Sequence, residues 1–196
     1  RVPFEKVWGL LVDGAYEPGL PPAEPFPIPV HSGDIRADVQ SAITLTARAW
    51  GLGQLYDISV EQARDDLART AVMVLSYVAQ AARGVGKPMV PQSEIDKCAT
   101  ITERFLTRWR GEVNPAHAKA IDAYWVSAAE HGMNASTFTA RVIASPGADA
   151  AAALSGAVGA MSGPLHGGGP SRVLHMIEAV EKRGAARSYV IGLLDS

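Results

Sequence analysis

The chain has 196 residues, with 18 Lys+Arg against 20 Asp+Glu and a formal net charge of −2, a balance that argues against a general binder of nucleic acid or anionic membrane. Hydrophobic residues make up 47% and charged residues 19%, enough apolar mass to fill a core and unlike a disordered chain. A single cysteine, Cys98, excludes an internal disulfide framework and a cysteine-pair metal knuckle and fits a reducing compartment; with no run of 18 apolar residues and no signal-like start, the expectation is a cytoplasmic protein without a membrane span.

The residues from Phe4 to Leu11 read as a short amphipathic helix ending near Gly14. Residues 17–33 contain six prolines, which neither continue a helix nor join a sheet ladder. An ordered connection between helices is expected there, anchored by Leu20, Phe26, Ile28 and Val30. Asp34 is placed to cap a helix running to about Leu52, with Ile35, Val39, Ile43 and Ala47 four residues apart. Ser59 and Gln62 form a plausible capping box for the next helix, whose stripe is Val60, Ala63, Leu67, Val74 and Val78 and whose end is Arg83-Gly84.

Ser93 and Asp96 offer a further cap, for a helix that contains Cys98, packs through Ile101, Phe105, Leu106 and Trp109, and ends at Gly111. Asn114-Pro115 joins a cap residue to proline at the first helical position, and Ala118, Ile121, Trp125 and Ala129 follow at helical spacing. A helix is expected from about Ser136 past Phe138, Arg141 and Val142. Ser145-Pro146 repeats the cap-and-proline signal, and Pro170 to Arg183 form the last helix, with Val173, Met176, Ile177 and Val180 on one side. No sustained alternating, β-branched pattern occurs, so an all-α, multihelical fold is expected.

Residues 131–171 are the most unusual stretch: across 41 residues the charged side chains are Arg141 and Asp149 alone. Within it, 147–163 hold seven alanines and four glycines, so a helix there has little side-chain bulk and lets a neighbour approach closely, either within the chain or across a subunit interface. His131, in AEHGMNAS, follows the preceding helix, and His166, in GPLHGGG, is flanked by glycines that permit close ligand approach. A neutral imidazole there is able to donate to an oxygen that becomes enolate-like. For each histidine a satisfied structural role and a functional one both fit the residues. His31 and His117 read as surface positions and His175 as a residue of the last helix. With no HExxH and no convergent ligand spacing, no metal is expected. Ser155 and Ser162 lie outside any GxSxG, Cys98 reads as structural, and Arg141 and Arg172 are secondary candidates for holding an anion.

The words EHGMNASTFTARVIAS and GADAAAALSGAVGAMSGPLHGGGPSRV closely resemble the core of the citrate synthase family. PFEKVWGLLVDGAYEP and IDAYWVSAAEHGMNASTF extend the resemblance over essentially the whole chain, in the shorter bacterial style. It implies the multihelical large domain across residues 1–196, with the small domain largely missing. It also implies a Claisen-type condensation of acetyl-CoA with oxaloacetate to citrate and CoA, the first step of the tricarboxylic acid cycle, with propionyl-CoA and 2-methylcitrate as the near alternative. A non-catalytic helical dimerisation module is the alternative of a different class.

By similarity, His166 stabilises the acetyl-CoA enol and His131 helps to bind oxaloacetate. Arg172, just beyond the glycine loop, is placed to reach a bound anion, and Asn134 and Ser136 recur in the motif as residues that shape its loop. The resemblance implies a homodimer, no tightly bound cofactor, and acyl-CoA and oxaloacetate as small-molecule substrates. Pro170 departs from the family's PLHGGAN, removing a backbone N–H donor. The family's later histidine, aspartate base and carboxylate-binding arginines have no matching motif before Ser196. The first residue, Arg1, suits a segment of a longer protein, and without those later groups the segment is expected to be inactive as a synthase by itself.

Overall fold

A computed structural model describes residues 2–195, with the side chains of Ser171 and Arg172 outside the described set. Ten helices follow in order: α1 (Phe4–Asp13), α2 (Ile35–Trp50), α3 (Val60–Arg83), α4 (Gln92–Ile95), α5 (Ile101–Arg110), α6 (Pro115–Ala128), α7 (Ala135–Ala144), α8 (Ala150–Met161), α9 (Gly169–Arg183) and α10 (Ala186–Leu194). No strand occurs among the described residues, and the fold is all-α.

The core lies where α2, α3 and α8 meet. Val39, Ala42 and Ile43 of α2 bury against Ala68, Val72, Met73 and Tyr77 of α3, and Ala151 of α8 joins them. Ile43 is fully buried, and removing such a side chain from water stabilises the fold by about 1.5–3 kcal/mol. Inside this apolar contact, Thr46 Oγ1 and Tyr77 Oη lie 3.2 Å apart, so both hydroxyls are satisfied without water. Burial pushes the Tyr77 phenol up from its ordinary value.

The proline-rich segment is an ordered connection laid against this core. Leu20, Ala23 and Ile28 are buried, and Phe26, half-exposed, meets Trp50 edge to face at 5.7 Å. Gln80 of α3 holds the segment at both polar groups, accepting from Ile28 N at 2.8 Å and donating to Phe26 O at 3.0 Å. A second aromatic contact, Phe4–Trp125 at 5.3 Å and Phe105–Trp125 at 5.2 Å, ties α1 and α5 to α6.

Several local expectations change. Thr100 caps α5 through a reciprocal box with Glu103, because Ser93 lies inside the four-residue α4, and Cys98 sits in the connection between α4 and α5 and not within a helix. Its sulfur lies 3.1 Å from Thr107 Oγ1. Asp149 rather than Ser145 caps α8, since Pro146 and the left-handed Gly147 (φ 91°) intervene. Ser59 caps α3 through Gln62 N, but the Gln62 side chain turns to Asp66 at 2.8 Å instead of closing the box. Ile35 and Val60 belong to the exposed faces of their helices, and α10 is an additional helix.

The Ala/Gly-rich α8 packs inside the chain, against α7, α2 and α3. A Cβ at Gly156 would overlap the Ile143 side chain of α7, and one at Gly159 would stand 2.8 Å from Gln40 Nε2 of α2. Ser155 joins the same contact, accepting from Thr44 Oγ1 at 3.0 Å and donating to Gln40 O at 3.2 Å. Small residues let α8 come close enough to α2 for these bonds to form.

Candidate functional site

The two histidines singled out by sequence come from different elements. His131 stands three residues beyond α6 in the α6–α7 connection, exposed, next to Gly132, whose φ of 95° turns the chain toward α7. His166 stands in the α8–α9 connection and is half-buried. That connection is a succession of tight turns, with His166 N donating to Gly163 O at 3.0 Å, Gly168 N to Gly163 O at 3.1 Å and Gly169 N to His166 O at 3.0 Å. A Cβ at Gly168 would stand only 2.7 Å from Ser162 O, so glycine there is what allows the turn to close.

The start of α7 connects them. Asn134 is its N-cap, with Oδ1 accepting from Thr137 N at 2.9 Å. The same side chain reaches both ways: Nδ2 lies 3.1 Å from His131 Nε2, and Oδ1 accepts from Ser136 Oγ at 2.7 Å. Ser136, buried at 7% exposure, lies 2.9 Å from His166 Nε2. A continuous chain therefore runs His131–Asn134–Ser136–His166.

Proton counting orders this chain. The cap bond fixes Oδ1 as the acceptor end of the Asn134 amide, so Nδ2 donates and His131 Nε2 accepts; a neutral His131 then carries its proton on Nδ1. A hydroxyl has one proton. With Ser136 donating to Asn134, Ser136 Oγ accepts from His166, which carries its proton on Nε2 and leaves the Nδ1 lone pair available.

Comparison with known proteins follows the same stretch. A sequence profile described as "Citrate synthase, C-terminal domain" matches residues 29–196. The chain belongs to the citrate synthase family. The protein named citrate synthase 2 in Mycobacterium tuberculosis H37Rv is 66% identical over 195 residues, covering 100% of this chain and 52% of that protein. The 2-methylcitrate synthase 2 of Corynebacterium glutamicum is 42% identical over 83 residues, 42% of this chain and 22% of that protein. Among solved structures, citrate synthase from Thermotoga maritima superposes with a TM-score of 0.62 at 25% identity, over 91% of this chain and 50% of that one. The chain thus spans about half the length of the citrate synthase 2 relative.

Set in that family, the remaining candidates separate. Pro170 occupies the first turn of α9, where a missing N–H breaks no intrahelical bond. The Arg172 side chain lies outside the described residues. Arg141 is exposed on α7 and makes no ion pair among the described residues. His31 and His117 are exposed, and His175 lies on α9, 3.7 Å from Glu178 Oε2. Ser162 turns back on Gly159 O at 2.7 Å. No group of three or more His, Cys, Asp or Glu able to hold a metal occurs among the described residues, and none of their helices is long and apolar enough to cross a membrane.

What the residue pattern did not supply is the bridge. Asn134 and Ser136 read from sequence as loop-shaping residues, yet they carry every contact between the two histidines. The signal was present in Asn-x-Ser at a helix start, where a cap amide is fixed by backbone and its free end is left to orient a neighbour.

Proposed function

We propose that the complete protein is an acyltransferase that condenses acetyl-CoA with oxaloacetate to give citrate and CoA. The observation that supports this reading is the hydrogen-bonded chain from His131 through Asn134 and Ser136 to His166, which joins two histidines 35 positions apart into one polar unit in a stretch almost free of charge.

In this reading a base removes a methyl proton from acetyl-CoA, and negative charge develops on the thioester oxygen. His166 donates a hydrogen bond to that oxygen. The donating proton must then sit on Nδ1, because Nε2 faces Ser136. Turning the Ser136 O–H from Asn134 Oδ1 toward His166 Nε2 stabilises that tautomer, and Asn134 Oδ1 retains the Thr137 N–H when the hydroxyl leaves. Ser136 is thus a positioning residue that selects which nitrogen of His166 carries the proton. His131, protonated on Nδ1, offers a donor to an oxygen of oxaloacetate, whose ketone carbon the enol attacks. Hydrolysis of the citryl-CoA thioester completes the reaction. The base and the arginines for the substrate carboxylates belong, in this reading, to the other half of the protein, so residues 1–196 alone are inactive. The working form is a cytoplasmic homodimer without a tightly bound cofactor.

Similarity to the Corynebacterium 2-methylcitrate synthase 2 favours propionyl-CoA as a second acyl donor. One methylene is worth about 1–3 kcal/mol in a hydrophobic pocket, so both acyl-CoAs are expected to react with unequal kcat/KM. Steady-state assays of the full-length protein with oxaloacetate and each acyl-CoA test this. A higher kcat/KM for acetyl-CoA supports the citrate reading. A higher value for propionyl-CoA assigns the 2-methylcitrate reaction, and no turnover with either leaves a helical dimerisation module.

A further inference from the structure

A cavity of about 490 Å³ shares no residue with α7, α8 or the two histidine connections. It opens between the proline-rich segment, the C-terminal end of α3, the glycine-rich connection after it, α4 and α5. Phe26, Ile28, Met89, Val90 and Ile95 are apolar residues of its wall, and Arg83, Lys87 and Arg108 are the cations of that wall.

The charges on that wall do not balance. Arg108 is buried at 7% exposure, and among the described residues its guanidinium donates only to neutral oxygens, Ala23 O at 3.1 Å and Gln92 Oε1 at 3.4 Å. Arg83 likewise donates to two carbonyls, Pro88 O at 2.7 Å and Trp109 O at 3.2 Å. Lys87 is exposed at the rim and makes no ion pair among the described residues. Glu24 is the one carboxylate on the lining, and it is bound bidentately by Arg69, with Nη2 at 2.9 Å. Desolvation holds Arg108 below its usual value, its like-charged neighbour Arg104 adds to the effect, and Asp96, which pairs directly with Arg104 at 3.2 Å, offsets part of it. Three cations lining a roomy cavity whose one lining carboxylate is held by Arg69 make a receptor for negative charge attached to an apolar body.

We infer that this cavity binds a small organic anion, a phosphate or carboxylate head carried on an apolar body, with the head on Arg83, Lys87 and Arg108 and the body against Phe26, Ile28 and Met89. Backbone carbonyls hold the two arginines in place before the ligand arrives, so little side-chain freedom is lost on binding.

Isothermal titration of the full-length protein with 1-naphthyl phosphate tests it. Inorganic phosphate and 1-naphthol serve as the head and body alone, and octanoate as the carboxylate counterpart. The expected result is saturable binding of 1-naphthyl phosphate, with phosphate and 1-naphthol each at least about tenfold weaker. Octanoate binding at the same place also supports the site and ranks the two head groups. Lys87→Glu, at an exposed position, is expected to weaken the probe about tenfold without changing Tm, and Arg108→Met to abolish binding if the variant folds. His131→Ala is expected to leave the probe affinity unchanged. The inference is overturned by absence of binding up to about 5 mM, by equal affinity in the wild type and Lys87→Glu, or by loss of binding in His131→Ala, which would locate the probe at the histidines instead.

Discussion

Helices α8 and α9–α10 contrast in how they meet the rest of the chain. α8 is built from alanine, glycine and serine, has weak intrinsic helical preference at its glycines, and is packed against α7, α2 and α3. α9 and α10 carry larger apolar residues, yet they touch chiefly each other, and Val173, Leu174, Ile177, Ile191, Leu193 and Leu194 are exposed. The small side chains of α8 let it approach α2 and α7 closely, whereas the exposed apolar residues of α9 and α10 belong to a chain that spans about half the length of its citrate synthase 2 relative. His166 stands between these two regions, in the connection from α8 to α9.

Two pairs of substitutions probe the contrast. The largest effect is expected for Ile43→Ala in the α2 core, which should lower stability by about 2–5 kcal/mol, whereas Leu194→Ala on α10 should change it by less than about 0.5 kcal/mol. Urea unfolding of both variants checks this, and equal losses would erase the distinction between the two regions. Next is Gly156→Val, which forces a side chain into Ile143 and should destabilise by about 1–3 kcal/mol; Gly192→Val on α10, where a Cβ meets nothing, should not.

The smallest effect concerns pH. Asp38, at the start of α2, accepts from Ser32 Oγ at 2.6 Å, Ser32 N at 2.7 Å and Gly33 N at 3.3 Å, and these bonds hold its carboxyl below the usual value. A group with a depressed folded-state pKa contributes stability above its unfolded value, near 3.9, and loses it as pH falls through the folded value. Asp38→Asn should therefore lower the neutral-pH plateau of a Tm–pH profile slightly and flatten its acid limb, because the stability linked to the ionised carboxylate is lost. An unchanged acid limb would remove Asp38 from that linkage.

Much of the fold was legible because its signals are local. Asn114-Pro115, Asp34, Ser59 and Gly111 mark helix ends by chemistry that acts within one turn, and each stands where that chemistry puts it. The failures are equally physical. Ser93 looked like a cap, but Pro91 starts a single turn that takes it in, and Thr100 with Glu103 supplies the real box. α10 follows Gly184 with no capping side chain and buries nothing, so neither a start signal nor a packed stripe announced it. At the site, motif resemblance pointed to His131 and His166 from residue identity alone. Their connection depends on the direction of the Asn134 amide and the depth of Ser136, which follow from the way α7 leans on α8 and not from spacing.

The central claim is that the chain ending at His166 belongs to the reacting site. It is tested most directly by the turnover of full-length His166→Ala with saturating oxaloacetate and acetyl-CoA, with circular dichroism confirming the fold. The account predicts a fall in kcat of about 10²-fold or more, as for loss of a positioned proton-transfer or hydrogen-bonding group. A folded variant with kcat within about twofold of the wild type would contradict it.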